Sequence, residues 1–304
     1  MKRVIITGAS GFIGGELSKY LLKDGVTVYG VGRNMAKLND LKGYGDFHPV
    51  VASFEQYADL DSLINSRGFD WFYHFAWRGT GASVEEFNDY NAQVSNISTA
   101  CDAASAAIRL GCNGISFCSS YQEANVAICD INSFNPVYYG IAKRCASEFV
   151  QAVAFQSDIS CINFIFPNIY GTNDKQSTAI VYFIDSMLSN KPLNLISGVY
   201  PDDWMPVEDL VDGICAASQS GRRYANYYIG HRQVSTFKDK LMEMKRILGS
   251  TTMLNWGKYP EISYIDYSRF DLDALYRDTS WEARSSFAES ILQTADWIKH
   301  IKKV

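Results

Sequence analysis

The stretch Thr7-Gly8-Ala9-Ser10-Gly11-Phe12-Ile13-Gly14 constrains the fold of this chain more than any other. It is a G-x-x-G-x-x-G set directly after the short apolar run Val4-Ile5-Ile6. It opens a helical pattern with Ile13, Leu17 and Leu21 on one face and Gly25 as a stop. A strand that turns through glycines into a helix N-terminus is built to cradle phosphate. Gly8 permits the tight turn, Gly11 lets the backbone approach a pyrophosphate and Gly14 lets helix and strand pack closely, while the first helical amides and the dipole face the anion. The plain alternative is a flexible glycine turn. Because strand and helix flank the loop on the correct sides, the loop, with Ser10, Phe12 and Ile13, is expected to hold a dinucleotide.

The rest of the first half alternates in the same way. Val26–Tyr29, Pro49–Val51, Trp71–Phe75, Ile115–Cys118 and Cys161–Ile165 are β-rich runs separated by helix-length segments. Such alternation means a parallel sheet covered on both faces, a Rossmann-type, doubly wound α/β fold. After about residue 166 the rhythm breaks, with one more strand-like run at Tyr227–Ile229. Residues 1–166 are therefore expected to form the dinucleotide-binding domain, joined by a returning segment over about 204–232. Residues 167–203 and 233–304 form a smaller C-terminal substrate-binding lobe, and no long linker separates the two.

Composition limits the partners. With 304 residues, 47% of them hydrophobic, the chain can fill two such units. Lys and Arg number 28 against 33 Asp and Glu, a net charge of -5, which argues against nucleic acid as a partner. The 7 cysteines, among them Cys129, are scattered through apolar stretches without a C-x-x-C pair, as expected of reduced thiols in a cytoplasmic protein. The first apolar run is too short for a secretory h-region, and nothing is long enough to span a bilayer, so no membrane is expected.

Two further patterns carry chemistry. At the end of the second strand, where an acid commonly reads the ribose hydroxyls of NAD, the chain has Gly30-Val31-Gly32-Arg33-Asn34. An Arg in place of the acid suits the 2′-phosphate of NADP, making NADP the expected cofactor over NAD; the plain alternative is an ordinary surface cation. Tyr139-Gly140-Ile141-Ala142-Lys143 places a phenol and an ammonium on one helix face, where the cation should lower the phenol pKa toward neutrality. Among 19 tyrosines such a pair can arise by chance. Its position strengthens it, because it follows Cys118-Ser119-Ser120 at the end of the fifth strand, where a serine can polarise a carbonyl oxygen.

The glycine loop, His74-Phe75-Ala76, Asn91, Ser119-Ser120, Tyr139 with Lys143, and Phe166-Pro167-Asn168-Ile169-Tyr170-Gly171 occur in the order seen in extended short-chain dehydrogenases/reductases. Over essentially the whole length the chain resembles the nucleotide-sugar epimerase/dehydratase/reductase group of that family, down to Asp203-Trp204-Met205-Pro206-Val207 and Trp297. The resemblance implies roles. Ser120, or Ser119, polarises the carbonyl, Tyr139 is the acid/base, and Lys143 assists it and binds the nicotinamide ribose. Ala76, Asn91 and Pro167 belong with the cofactor-binding residues, Asn91 by ordering the site around the lysine. Asn168 lies near the sugar nucleotide, with Arg78, Tyr121 and Gln122 on sugar-contacting loops. A homodimer through two long helices, around 84–108 and 138–155, is also implied, their Ala-rich faces suiting either close packing between copies or internal core. His74 reads as a hydrogen-bonded core residue, and the four histidines have no metal-ligand spacing, so no metal is expected.

Three departures from the group shape the functional expectation. Ala52-Ser53-Phe54 stands where an acid often contacts adenine. Asp202 occupies the position of an Arg that grips the substrate diphosphate, leaving Arg232, Arg269 or Lys191 as substitutes. Ser120 is followed by Tyr121-Gln122 rather than the Asp-Glu pair of the dehydratases. Together with Arg33, this points to an NADP-dependent reductase of the 4-keto group of a nucleotide-activated (deoxy)sugar. A 4-epimerase with retained NAD(P) is the alternative enzyme. A non-catalytic cofactor-binding regulator is the alternative of another class, disfavoured because Ser120, Tyr139 and Lys143 are all present.

Overall fold

In the computed structural model, which describes residues 1–79, 89–127, 138–174, 178–261 and 263–302, the β-rich runs line up as one sheet. Its strands are β1 (Arg3–Thr7), β2 (Thr27–Gly32), β3 (Phe47–Val51), β4 (Trp71–His74), β5 (Gly114–Ser120), β6 (Ser160–Phe166) and β7 (Tyr224–Tyr228). They lie in the order β7-β6-β5-β4-β1-β2-β3, every neighbouring pair parallel. The chain winds outward from β1 to β3 on one side and from β4 to β7 on the other. This is the expected doubly wound fold, and the order reverses between β1 and β4, where such sheets open a crevice at the strands' carboxyl ends.

Among the described residues seven helices reach ten residues or more: α1 (Phe12–Lys23), α2 (Tyr90–Arg109), α3 (Tyr138–Gln156), α4 (Ala179–Leu188), α5 (Val207–Ser218), α6 (Phe237–Ile247) and α7 (Phe287–Ile301). The two-residue period of the strands sorts the core. Val4 and Ile6 of β1 pack with Leu17 and Leu21 of α1 and Leu210 and Ile214 of α5 on one face of the sheet. Ile5, Phe72 and Phe117 pack with α2 and α3 on the other. All seven residues of β5 are buried, as expected for a central strand with both faces covered.

The Ala-rich faces of α2 and α3 do not look outward. Ala100, Ala103 and Ala107 of α2 and Ala142 and Ala146 of α3 are fully or almost fully buried in the sheet-facing core, so they are not available to a second copy. Small side chains let these helices lie close to the sheet and to each other. The outward faces instead show Tyr90, Val94, Ile141, Phe149 and Phe155, all more than half exposed. Residues 84–88 of the expected helix, and Cys129, lie outside the described residues. The six described cysteines are free thiols. No described helix is long and apolar enough to cross a membrane.

After β6 the chain leaves the sheet, pairs Asn168–Tyr170 with Trp204–Pro206, and returns through α5 to place β7 on the sheet edge. Helices α4, α6 and α7 enclose a separate core around Trp204, Ile184, Leu241 and Ile291. A small cluster of Tyr121, Ala124, Ile165, Tyr228 and Ile265 ties this part to the turn that follows β5.

One contact controls how α3 meets that turn. A Cβ on Gly140 would stand 2.2 Å from the Gln122 carbonyl oxygen, so the helix approaches the Tyr121–Ala124 turn at a distance only glycine allows. Gly140→Ala is expected to lower stability by about 1–3 kcal/mol through this overlap, although alanine is the better helix former by ~1 kcal/mol. Urea unfolding measures the change. Gly43→Ala, with no atom within 4 Å of its Cβ, serves as the control, and equal midpoints for the two variants would contradict the close approach.

Candidate active site

A cleft of about 610 Å³ opens at the β1/β4 reversal. It is lined by fifteen of the residues expected from sequence: Gly8, Ser10, Gly11, Phe12, Ile13 and Gly14 at one wall, Arg33 and Ala76 beside them, Ser120, Tyr121, Gln122, Tyr139 and Lys143 at the floor, and Pro167 and Asn168 opposite.

The glycine wall is tight for physical reasons. Gly8 has φ +71°, and a Cβ there would meet the Ala76 backbone nitrogen at 3.0 Å. At Gly14 it would stand 2.4 Å from the Gly8 carbonyl oxygen, so helix and loop can pack this closely only without a side chain. Gly11 caps α1 without any side-chain hydrogen bond and the first turn carries no acid, so no side chain offsets the positive helix end. Across from it, the Ala76 amide donates to Thr7 Oγ1 at 3.3 Å, joining the ends of β1 and β4. This cradle fits a dinucleotide pyrophosphate.

Beyond β2 the cleft is cationic. Arg33 and Lys37 both line it, with Phe54 and Tyr57. Phe54 carries the Arg33 guanidinium at 5.6 Å from its ring centroid and that of Arg78 at 4.8 Å. Lys37 was not anticipated from sequence; it enters because Asn34 caps the short helix Met35–Asn39 and accepts from the Lys37 amide at 3.2 Å, curling the chain back. Arg78 is placed differently from expectation. Its guanidinium pairs with Glu55 beside Phe54 and does not line the cleft, because that ion pair draws it outward.

At the floor, Ser120 lies beside Tyr139, where its hydroxyl acts to lower the phenol pKa. Ser120 Oγ also accepts the Gln122 amide at 3.3 Å, which fixes its rotamer at the head of the turn. Ser119 is committed elsewhere, donating to Glu123 Oε2 at 2.5 Å, so Ser120 is the serine that faces the phenol. Lys143, 2% exposed, donates to the Cys118 carbonyl at 2.7 Å. Burial pulls the ammonium down to about 8. Burial also pushes the Tyr139 phenol above its ordinary value, with only the Ser120 hydrogen bond acting to lower it. The expected lowering of Tyr139 by Lys143 gives way to a raised phenol pKa: the ammonium is directed to a backbone carbonyl, and burial dominates the hydroxyl. At neutral pH this phenol keeps its proton, with the Ser120 hydroxyl beside it.

His74 stays neutral. Burial, assisted by the nearby Lys143 charge, pulls its imidazole down to about 3, and its Nδ1 is 2.9 Å from Thr7 Oγ1. It ties β4 to β1 as a core residue.

Asn91 does not belong to this site. It is exposed in the first turn of α2, its amide bonded to Asp89, while the 3.6-residue period turns Gln93, Asn96 and Ala100 inward. Gln93 and Asn96 make the inward contacts instead: Gln93 accepts the Trp77 indole N–H at 3.0 Å, and Asn96 brackets the Arg78 backbone, accepting its N–H and donating to its carbonyl, each at 3.0 Å. The small apolar residues at 100, 103 and 107, extended back by the helical period to 96 and 93, are the signal for this face.

Opposite the floor, Asn168 donates through Nδ2 to Asp202 at 3.0 Å, and Asp202 accepts the Trp204 indole N–H at 2.7 Å. Burial pushes Asp202 up to about 7. The carboxyl is therefore part of a wall that orients Asn168. None of the three substitute cations lines the cleft; Arg232 is engaged by Asp273 and Arg269 lies 3.9 Å from Asp266. Among the described residues no group of three or more His, Cys, Asp or Glu could hold a metal ion.

Comparison with known proteins agrees with this architecture. The chain is 25% identical over 278 residues to a CDP-abequose synthase of Yersinia pseudotuberculosis, covering 87% of this chain and 92% of that protein. It is 24% identical over 311 residues to a UDP-2-acetamido-2,6-beta-L-arabino-hexul-4-ose reductase of Pseudomonas aeruginosa, covering 97% and 72%. The crystal structure of a UDP-glucuronic acid 4-epimerase from Bacillus cereus in complex with NAD shares the fold, with a TM-score of 0.78, 18% identity and 99% and 98% of the two chains covered. Residues 4–230 match the sequence model of the NAD dependent epimerase/dehydratase family. With three quarters of its length under that match and the glycine cradle, serine, tyrosine and lysine in one cleft, the chain belongs to the NAD dependent epimerase/dehydratase family.

Proposed function

We propose that the protein reduces the 4-keto group of a nucleotide-activated (deoxy)sugar with NADP as its cofactor. The observation that carries this reading is a single cleft with Ser120, Tyr139 and buried Lys143 at its floor and Arg33 and Lys37 at its far end. Two cations, with no carboxylate among the described residues that line that end, suit a 2′-phosphate better than bare ribose hydroxyls. The similarity to a hexul-4-ose reductase supports net reduction at C4.

In this reading the glycine cradle holds the pyrophosphate, Arg33 and Lys37 the 2′-phosphate, Ala76 and Pro167 flank the dinucleotide, and one Lys143 N–H faces the ribose. The bound dinucleotide supplies a hydride to the carbonyl carbon. Ser120 Oγ–H donates to the carbonyl oxygen and orients it. Tyr139 transfers its phenolic proton to that oxygen as negative charge develops there, and the Lys143 ammonium stabilises the phenolate that remains. Tyr121, Gln122 and Asn168 meet the sugar. The outward apolar faces of α2 and α3 join two copies in a homodimer.

A second reading, a nucleotide-sugar 4-epimerase with retained NAD, is favoured by the fold shared with the Bacillus cereus enzyme. It predicts interconversion of two sugar nucleotides with no net change in cofactor absorbance, whereas the reductase consumes NADPH stoichiometrically.

Tyr139→Phe is expected to lower kcat about 10²–10⁴-fold with NADPH affinity retained in fluorescence titration; undiminished turnover would remove Tyr139 from the reaction. Arg33→Ser with Lys37→Ser should weaken NADPH about 10–100-fold, the loss of one to two charge-assisted hydrogen bonds, and leave NADH unchanged. An equal loss for both cofactors would contradict a 2′-phosphate site. Val94→Asp with Ile141→Asp should convert the dimer to monomers in sedimentation velocity.

A further inference from the structure

Lys143 is surrounded by rings. Its Nζ lies 3.9 Å from the centroid of Trp77, 5.2 Å from that of Phe117 and 5.6 Å from that of Tyr139. Trp77 is 8% exposed and is held on three sides. Its indole N–H is bonded to Gln93, its ring stands edge-on to Tyr139 at 6.2 Å and to Phe117 at 5.9 Å, and the next residue's backbone is bracketed by Asn96. The indole is therefore a fixed wall across the ammonium.

We propose that Trp77 is a positioning residue whose indole face holds the Lys143 ammonium in its charged form at the floor of the cleft. The inference rests on the catalytic reading above for its consequence in turnover, though its geometry does not. An ammonium has three N–H groups. The Cys118 carbonyl takes one, the indole face covers a second, and one is left for a ligand in the cleft that Lys143 lines.

Among the described residues, two other groups act to hold the charge on the ammonium, Cys118 and Glu123. From β5 and its turn come the Cys118 thiol, pushed up by burial, and Glu123, whose carboxyl is also pushed up and is bonded to Ser119. From β4 comes His74, kept neutral, and from α3 itself Tyr139, kept protonated. From α2, among the described residues, comes the uncharged Gln93, through Trp77. Desolvation has already drawn Lys143 to about 8, so a modest further loss would discharge it at working pH. A desolvated cation–π contact raises a lysine pKa by about one unit or more.

The sign follows. Reduction needs Lys143 charged, so activity falls as pH rises through its pKa. Trp77→Leu is expected to lower that pKa by about one unit, carrying the alkaline limb of kcat down by the same amount. The titration is read directly, without turnover, from the full chain labelled with [ε-13C]lysine, the Lys143 signal assigned by Lys143→Arg. Gln93→Leu, which releases the indole N–H, should shift it the same way by about half as much, and serves if Trp77→Leu does not fold. If Trp77 only fills space, melting temperature and kcat drop while the Lys143 titration and the limb stay in place, and the proposal is overturned. Should the wild-type chain turn over no keto-sugar nucleotide, the proposed function falls, and the lysine titration still tests the role of Trp77.

Discussion

The buried ammonium of Lys143 organises the cleft. An isolated charge removed from water costs several kcal/mol, and at an exposure of 2% that cost must be met by the groups packed around the ammonium. A carbonyl at 2.7 Å, the faces of three rings and the packing of α3 against β5 meet it. The same desolvation keeps Tyr139 protonated and His74 neutral, so three titratable groups within one small volume sit in defined protonation states. That volume forms only where β4, β5, α2 and α3 meet, and Gly140 is the point at which α3 comes close enough to the turn after β5.

The two ends of the cleft differ in charge for different reasons. At the β2 end, Arg33 and Lys37 are joined by the positive end of α1, whose first turn carries no acid. At the other end, Asp202 lies behind Asn168 with its carboxyl pushed up to about 7 and its oxygens occupied by an amide and an indole. An overall charge of -5 therefore coexists with a locally positive cradle. The long-range field and the local site are separate quantities, because burial and backbone dipoles act over a few ångströms whereas the net charge is screened within about 10 Å.

Much of this was legible from local pattern. The glycine spacing, the period-two strands and the Tyr139/Lys143 pair fall where sequence placed them, since each depends on backbone geometry over a few residues. The misses share a different cause. Asn91 was assigned by order along the chain, yet a helix turns 100° per residue, and it is Gln93 and Asn96 that face inward. The Ala-rich faces of α2 and α3 carry no mark saying whether they meet the sheet or a second copy; contact with β5 makes them core. Arg78 is drawn from the cleft by Glu55, a residue 23 positions away, and Ser119 is separated from Ser120 by a bond to Glu123.

What the sequence by itself determined is the doubly wound sheet and the placing of the glycine loop, Ser120, Tyr139 and Lys143 along its elements, because these follow from short-range spacing. Only the tertiary structure decided how those groups are tuned. The upward push on Tyr139, the wall that Trp77 makes across Lys143, the entry of Lys37 and the turning of Asp202 toward Asn168 all depend on which distant segments exclude water from one another, and desolvation is a property of the packed volume rather than of any stretch of chain.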